Sequence, residues 1–104
     1  MMTQPAYMLF ALTVTDEDTH QDYLAKAVDS LAGTGVEVVF TSDAVAAVEG
    51  DIPFERLVLL KFPSTQAARD WYSSPAYAAA RQLRFASAAT AFAAHIESGA
   101  AEGQ

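Results

Sequence analysis

Residues 62–88, "FPSTQAARDWYSSPAYAAARQLRFASA", decide how this chain folds. Two helix starts are written into the stretch. Ser64 or Thr65 can accept a hydrogen bond from the free N–H groups of a first turn and cap a short helix through Tyr72. Ser74 can cap a second helix, with Pro75 at its first position, where the missing N–H costs nothing. On these helices Trp71, Tyr72, Tyr77 and Phe85 alternate with Arg69, Arg81 and Arg84. The mixture serves either a ligand site or the closure of a small core, and the flanking segments frame that choice.

Immediately before it, "RLVLLKF" (56–62) is the most strand-like run in the chain. Immediately after it, "TAFAAHIE" (90–97) is rich in alanine, which favours helix, yet Phe92, Ala94 and Ile96 alternate as in a strand. A strand is expected there, because the preceding helices must return the chain to the sheet. Towards the N-terminus, Tyr7 to Val14 reads as a strand buried on both faces. "TDEDTHQDYLAKAVDSLAGTG" (15–35) follows as an amphipathic helix, with Leu24, Ala27, Val28 and Leu31 at helical spacing. Its acidic first turn suits the helix dipole, and Gly33 or Gly35 supplies the stop. "VEVVFT" (36–41) and "AVAAVEG" (44–50) read as two short strands around Ser42 and Asp43, and "GDIPFE" (50–55) as a loop.

The order β-α-β-β-β-α-β is an α+β arrangement: a ferredoxin-like βαββαβ core with one added strand in the middle group. One domain over residues 1–98 is expected, with a disordered tail at 99–104. Two helical segments cover one face of such a sheet. The first strand places Met8, Phe10, Leu12 and Val14 on one side and Tyr7, Leu9 and Ala11 on the other. Strand 56–62 divides its apolar residues in the same way. An uncovered apolar face is rare on a soluble monomer, so a homodimer with two-fold symmetry is expected, forming a dimeric α+β barrel.

Composition excludes several classes. The 104 residues carry 6 basic and 13 acidic side chains, a net charge of −7, which repels a phosphate backbone and argues against nucleic acid. No apolar run approaches a membrane span, and the first residues lack the positive region of a secretory signal. With no cysteine, thiolate metal sites and cysteine nucleophiles are out, and a cytoplasmic location is the natural expectation. No glycine-rich phosphate loop and no nucleophile elbow occur.

Residues 49–88 are similar to the signature region of the family called domain of unknown function 1330, within the dimeric α+β-barrel superfamily. The resemblance rests on Glu49-Gly50-Asp51, Glu55-Arg56-Leu57, Phe62-Pro63-Ser64, Ala68-Arg69, Trp71-Tyr72, Ser74-Pro75, Tyr77 and Leu83-Arg84, in order and at matching spacing. The first half resembles the family more loosely, through its strand-helix-strand order and Tyr23. Two departures stand out: "FTSDAV" replaces a basic residue and a Gly-Gly pair common at the hairpin, and Ile52 replaces an aromatic. The resemblance implies the fold and the dimer. It implies no particular reaction, because relatives in the superfamily include cofactor-free monooxygenases, lactone isomerases, haem-degrading enzymes and simple binders.

The candidate site residues follow from chemistry and spacing. Tyr77, Arg81 and Arg84 fall on one helical stripe beside an apolar stripe of Ala76, Ala80 and Leu83. A tyrosine hydroxyl next to a guanidinium can orient a carboxylate, phenolate or enolate oxygen. Equally, Arg84 can pair with Asp51 or Glu49 and simply tie the helix to the "EGD" loop, while Arg81 is solvated. Trp71 and Tyr72 are adjacent and so point to different faces, one into the core and the other towards a cleft or the dimer seam. Arg56, beside Glu55, reads as a loop-anchoring ion pair. His20 shares the buried face of the first helix and can act as a general base near neutral pH; with His95 far away, no set of ligands at metal spacing forms. Expected, then, are His20, Tyr77 and Arg84 as catalytic residues, Phe10, Tyr23, Trp71 and Tyr72 as ligand-binding residues, and no metal or organic cofactor. The expected function is binding of a small, apolar, oxygen-bearing molecule by a cofactor-independent enzyme of isomerase, cyclase or monooxygenase type. The alternative is a non-catalytic ligand-binding or structural dimer whose aromatics serve core and interface.

Overall fold

A computed structural model describes residues 4–97; the tail at 99–104 lies outside the described residues. The elements are β1 (Ala6–Val14), α1 (Glu17–Ser30), β2 (Glu37–Ser42), β3 (Arg56–Phe62), α2 (Thr65–Tyr72), α3 (Pro75–Ser87) and β4 (Ala88–Glu97). The strands form one antiparallel sheet in the order β2-β3-β1-β4. This is the ferredoxin-like βαββαβ topology, with α2 and α3 together filling the place of the second helix.

Local chemistry sets the element boundaries. Asp16, in extended conformation, accepts from the Thr19 N–H at 3.1 Å and caps α1. Ser64 caps α2 by accepting from Ala67, and Ser74 caps α3 by accepting from Tyr77, with Pro75 at the first helical position. Past α1 the chain turns through Gly33 and Gly35, whose φ angles of 78° and 76° lie in the left-handed region that side chains disfavour. At Gly35 a Cβ would also meet Pro63 Cγ at 3.1 Å.

One expected strand is absent. Residues 44–50, "AVAAVEG", form no ladder; they belong to the long connection between β2 and β3, and Val48 is almost fully exposed. The alternation of valine and alanine is genuine, but β2 is already the sheet edge and offers this segment no inward face to bury.

Cross-strand register sorts the side chains into two faces, because directly paired residues point the same way. Towards the helices run the rows Val38–Leu60–Met8–His95 and, one step along, Thr41–Val58–Phe10–Ala93. Towards the open side run Phe40–Leu59–Leu9–Ala94 and Leu57–Ala11–Phe92. Within a single chain that second face is apolar and covered by no helix; Phe40, Phe92 and Ile96 stay about two-fifths exposed. The core lies on the helix side, around Phe10, Leu12, Leu60, Phe62, Ala68, Trp71, Tyr77 and Ala80.

Candidate functional site

The helix layer is uneven. α2 lies against β1 and β3, and α3 reaches β4, whereas α1 packs chiefly on α3. Both ends of α1 are tied down. At its start, the N–H groups of Thr15 and Asp16 both donate to the Ser87 carbonyl (2.8 and 3.1 Å). The His20 Nδ1 meets the Ser87 hydroxyl at 3.1 Å. At its end, the Trp71 indole N–H donates to Ser30 Oγ at 2.9 Å, and that hydroxyl donates onward to the Ala27 carbonyl. Between these ties the middle of the helix stands over the β2–β3 half of the sheet and encloses a cavity of about 250 Å³.

Phe10, Val38, Val58 and Leu60 form the cavity floor, Leu24, Ala27 and Val28 the roof, and Trp71 the back wall. The polar groups on its lining are His20, Tyr23, Thr41 and Arg56. Leu24 and Val28, expected to be buried on the apolar stripe of α1, are exposed at its mouth instead. The buried stripe is His20, Tyr23 and Ala27. Periodicity alone gives the stripe but not which edge of it touches the sheet, and here the larger rings took the inner edge.

His20 is almost completely buried. Burial pulls its imidazole below the ordinary histidine value, the Arg56 charge adds to this, and Glu17 opposes it. The neutral form is therefore favoured, and Nδ1 is engaged by the Ser87 hydroxyl.

Behind the wall lies a second polar array. Arg84 Nη1 donates to Tyr77 Oη at 2.8 Å, and the Tyr77 and Tyr23 hydroxyls share a hydrogen bond of 3.0 Å. Burial raises both phenols above the ordinary tyrosine value, and for Tyr77 the neighbouring Tyr23 adds to the rise. Both stay neutral and act as hydrogen-bonding hydroxyls. Burial works against the Arg84 cation and the hydroxyl oxygens around it, Tyr77 first, favour it; the guanidinium stays charged, as arginine does in proteins. Its Cζ lies over the rings of Phe10 and Phe85, 5.1 and 5.2 Å from their centroids.

This placement revises several expectations. Tyr77 and Arg84 do not flank an apolar stripe; with Ala80 and Ser87 they are the buried stripe of α3, while Ala76 is exposed. Arg84 does not pair with Asp51 or Glu49: the ion pairs among the described residues are Arg56–Asp43 and Arg69–Glu97. Arg56 does anchor a loop, through Asp43 (2.7 and 3.1 Å) rather than the adjacent Glu55. Arg81 is not simply solvated; it donates to the Tyr72 carbonyl and lies 5.0 Å from that ring.

Of the candidate residues, the structure brings Phe10, His20, Tyr23 and Trp71 to the cavity. Tyr77 and Arg84 stand one layer behind. Tyr72 borders a shallow hollow on the other side of α2, with Met8 and His95. Trp71 is the core member of its pair, packed on Phe10, Phe62 and Tyr77. Sequence reasoning missed Ser87 and Ser30, which hold α1 at its two ends. Ser87 was within reach, ten positions after Tyr77 and three after Arg84 on the same stripe. Among the described residues no group of three histidine, aspartate or glutamate side chains could hold a metal, and no helix is long and apolar enough to cross a membrane.

Known structures with this architecture include a protein of unknown function from Rhodopseudomonas palustris, 17% identical, with a TM-score of 0.72 over 91% of this chain and 81% of that one. A cofactor-independent oxygenase from Streptomyces nogalater, SnoaB, is 10% identical, with a TM-score of 0.65 over 93% and 95% of the two chains. A dimeric ferredoxin-like protein of unknown function from Thermobifida fusca is also 10% identical, with a TM-score of 0.61 over 93% and 92%. At such identities the likeness establishes the fold alone. No curated protein matches. The match to the family described as "Domain of unknown function (DUF1330)" spans residues 5–96, nearly all of the described structure, and the chain belongs to that family.

Proposed function

We propose that this protein is a cytoplasmic homodimer that binds a small, largely apolar, oxygen-bearing molecule between α1 and the sheet, and transfers a proton to or from it without an organic cofactor. The observation that carries the reading is the cavity itself. A helix pinned at both ends over an apolar floor leaves room for one small molecule, with the polar side chains of His20, Tyr23, Thr41 and Arg56 converging on it. Neutral His20, oriented by Ser87, is the base: its Nε2 accepts a proton from a C–H or O–H bond of the ligand. Phe10 and Trp71 exclude water from the reacting face.

Three further observations support the reading. The uncovered apolar face of the sheet fits a second copy laid sheet against sheet. The cysteine-free chain needs no oxidising compartment. The S. nogalater protein of the same fold is a cofactor-independent oxygenase, which is consistent with the reading.

The test is native mass spectrometry of protein purified gently from its own source. A dimer carrying a reproducible extra mass of a few hundred daltons or less is expected, and Leu59→Lys, on the open face, is expected to give a monomer. A bare monomer of the unmodified protein would overturn the dimer. A bare dimer whose Trp71 fluorescence ignores a panel of small aromatic alcohols and ketones would overturn the pocket.

A further inference from the structure

Arg84 poses a problem that the proposed site does not use up. It is 2% exposed, its Nη1 donates to Tyr77 Oη, and its Nε–H is buried with no partner. No carboxylate pairs with it among the described residues. A buried charge without a counter-ion is costly, and such charges are ordinarily paired. The protein therefore maintains an uncompensated positive charge in a dry layer directly behind the cavity. Two routes carry its influence to the cavity. Phe10 lies between them, one face on the guanidinium and its ring in the cavity floor. The Tyr77–Tyr23 hydrogen bond leads to the second side chain on the lining.

Resting on the proposed pocket, we infer that the cavity holds its ligand as an anion formed inside it from a weak neutral acid, a phenol or an enol, with Arg84 as the positioning charge behind the wall. The protein's net charge of −7 selects this class over carboxylates. A molecule already charged in water is repelled on approach and must be stripped of its hydration at an apolar mouth formed by Leu24 and Val28. A phenol or enol enters neutral and ionises only next to the guanidinium. Its O–H bond breaks, the proton passes to His20 and from there to the buffer, and the oxygen keeps the electron pair.

Other ionisable groups around the cavity and the guanidinium do not supply this charge. From α1 come Glu17, exposed at the helix start, and the neutral His20 and Tyr23. From β3 comes Arg56, at the edge of the lining and ion-paired with both oxygens of Asp43, so that its charge is partly offset where that of Arg84 is not. From α2 comes Tyr72, and from α3 come Tyr77 and Arg81, the latter turned onto the Tyr72 ring. Among the described residues, Arg84 is the fully buried cation with no carboxylate partner.

The experiment uses 4-nitrophenol, whose phenol and phenolate forms absorb at different wavelengths. Occupancy is followed separately by quenching of Trp71, the single tryptophan. Burial alone raises the pKa of a neutral acid, so a downward shift on binding requires positive charge or hydrogen-bond donors beside the oxygen, and the Arg84 variants separate the two. The bound probe is expected to ionise about one pH unit below the free probe, a tenfold change. In Arg84→Met the probe is expected to bind with the shift abolished, and in Arg84→Lys with much of it kept. 4-Nitroanisole, the same shape without an ionisable proton, is expected to bind about tenfold more weakly than the phenolate form. A bound probe that ionises at or above the free value overturns the inference in the unmodified protein, whether or not Arg84→Met folds. A shift that survives Arg84→Met also overturns it. Failure of either probe to quench Trp71 at millimolar concentration would sink the pocket itself, a result distinct from binding without a shift.

Discussion

The two halves of the sheet are built from similar residues and finish differently. Over β1, β4 and the Phe62 end of β3, α2 and α3 lie close, and Trp71, Tyr77 and Phe62 fill the space with ring contacts, Trp71 and Tyr77 only 4.1 Å apart. Over β2 and β3, α1 is held away by ties at its two ends, and Leu24 and Val28 overhang a cavity that they do not fill. Apolar composition is common to both halves; the difference lies in where the helices are fastened. α2 and α3 meet the sheet with their own buried side chains, Ala68, Trp71, Tyr77 and Ala80. α1 is fastened to α2 and α3 through Ser87, Ser30, His20 and Tyr23 rather than to the sheet, from which it stands off. The closed half supplies stability, and the open half supplies room for a ligand.

The comparison breaks most severely at Trp71. It is 3% exposed and touches Phe10, Phe62, Tyr72 and Tyr77. Trp71→Ala would leave a void among rigid rings that cannot collapse to fill it. A loss of about 3–5 kcal/mol is expected, read as the shift in urea midpoint by circular dichroism. The Ser30 hydroxyl would lose its donor as well, freeing the end of α1. A variant as stable as the parent would show that the closed half is not where the stability resides.

Tyr77→Phe keeps the ring and removes only the hydroxyl between Arg84 and Tyr23. Two buried polar groups then lack a partner, and a loss of about 1–3 kcal/mol is expected. The added double variant Tyr23→Phe sharpens the point. If the hydroxyls act as one array, the two losses will not add, and a double-mutant cycle will show coupling. Additive losses would mean that the two tyrosines stabilise the fold independently of each other.

Much of this architecture is legible in the chain. The caps at Ser64 and Ser74, the proline opening α3 and the return of 90–97 to the sheet all follow from local chemistry that tertiary structure did not override. The site is legible only in part. His20 and Tyr23 can be placed on a buried helix face by spacing, and Phe10 and Trp71 by their bulk. That Arg84 would go inward could not be read, because a guanidinium on a helix is ordinarily a surface group. Its burial depends on the Tyr77 hydroxyl and on the rings of Phe10 and Phe85, and Phe10 comes from a strand more than seventy positions away. The stand-off of α1 was hidden for a similar reason. It is fixed by a backbone carbonyl at Ser87 and a hydroxyl at Ser30, which carry no periodic signal. The false strand at 44–50 shows the converse, since its periodicity is clear but no neighbouring strand is there to use it.

The smallest effect on folding should fall on the open half. Val28 is 65% exposed on the roof of the cavity and contributes to no buried cluster. Val28→Lys should change stability by no more than about 0.5 kcal/mol, because lysine is a better helix former than valine and its charged end reaches water. Binding should respond quite differently. A lysine at the mouth removes apolar wall and exchanges a dry rim for a hydrated ammonium, so the affinity for 4-nitrophenol quenching Trp71 should fall about tenfold. The opposite pattern would be informative. A large loss of stability with binding intact would mean that α1 leans on the sheet through Val28 after all, and that the cavity is packing left incomplete rather than space kept for a ligand.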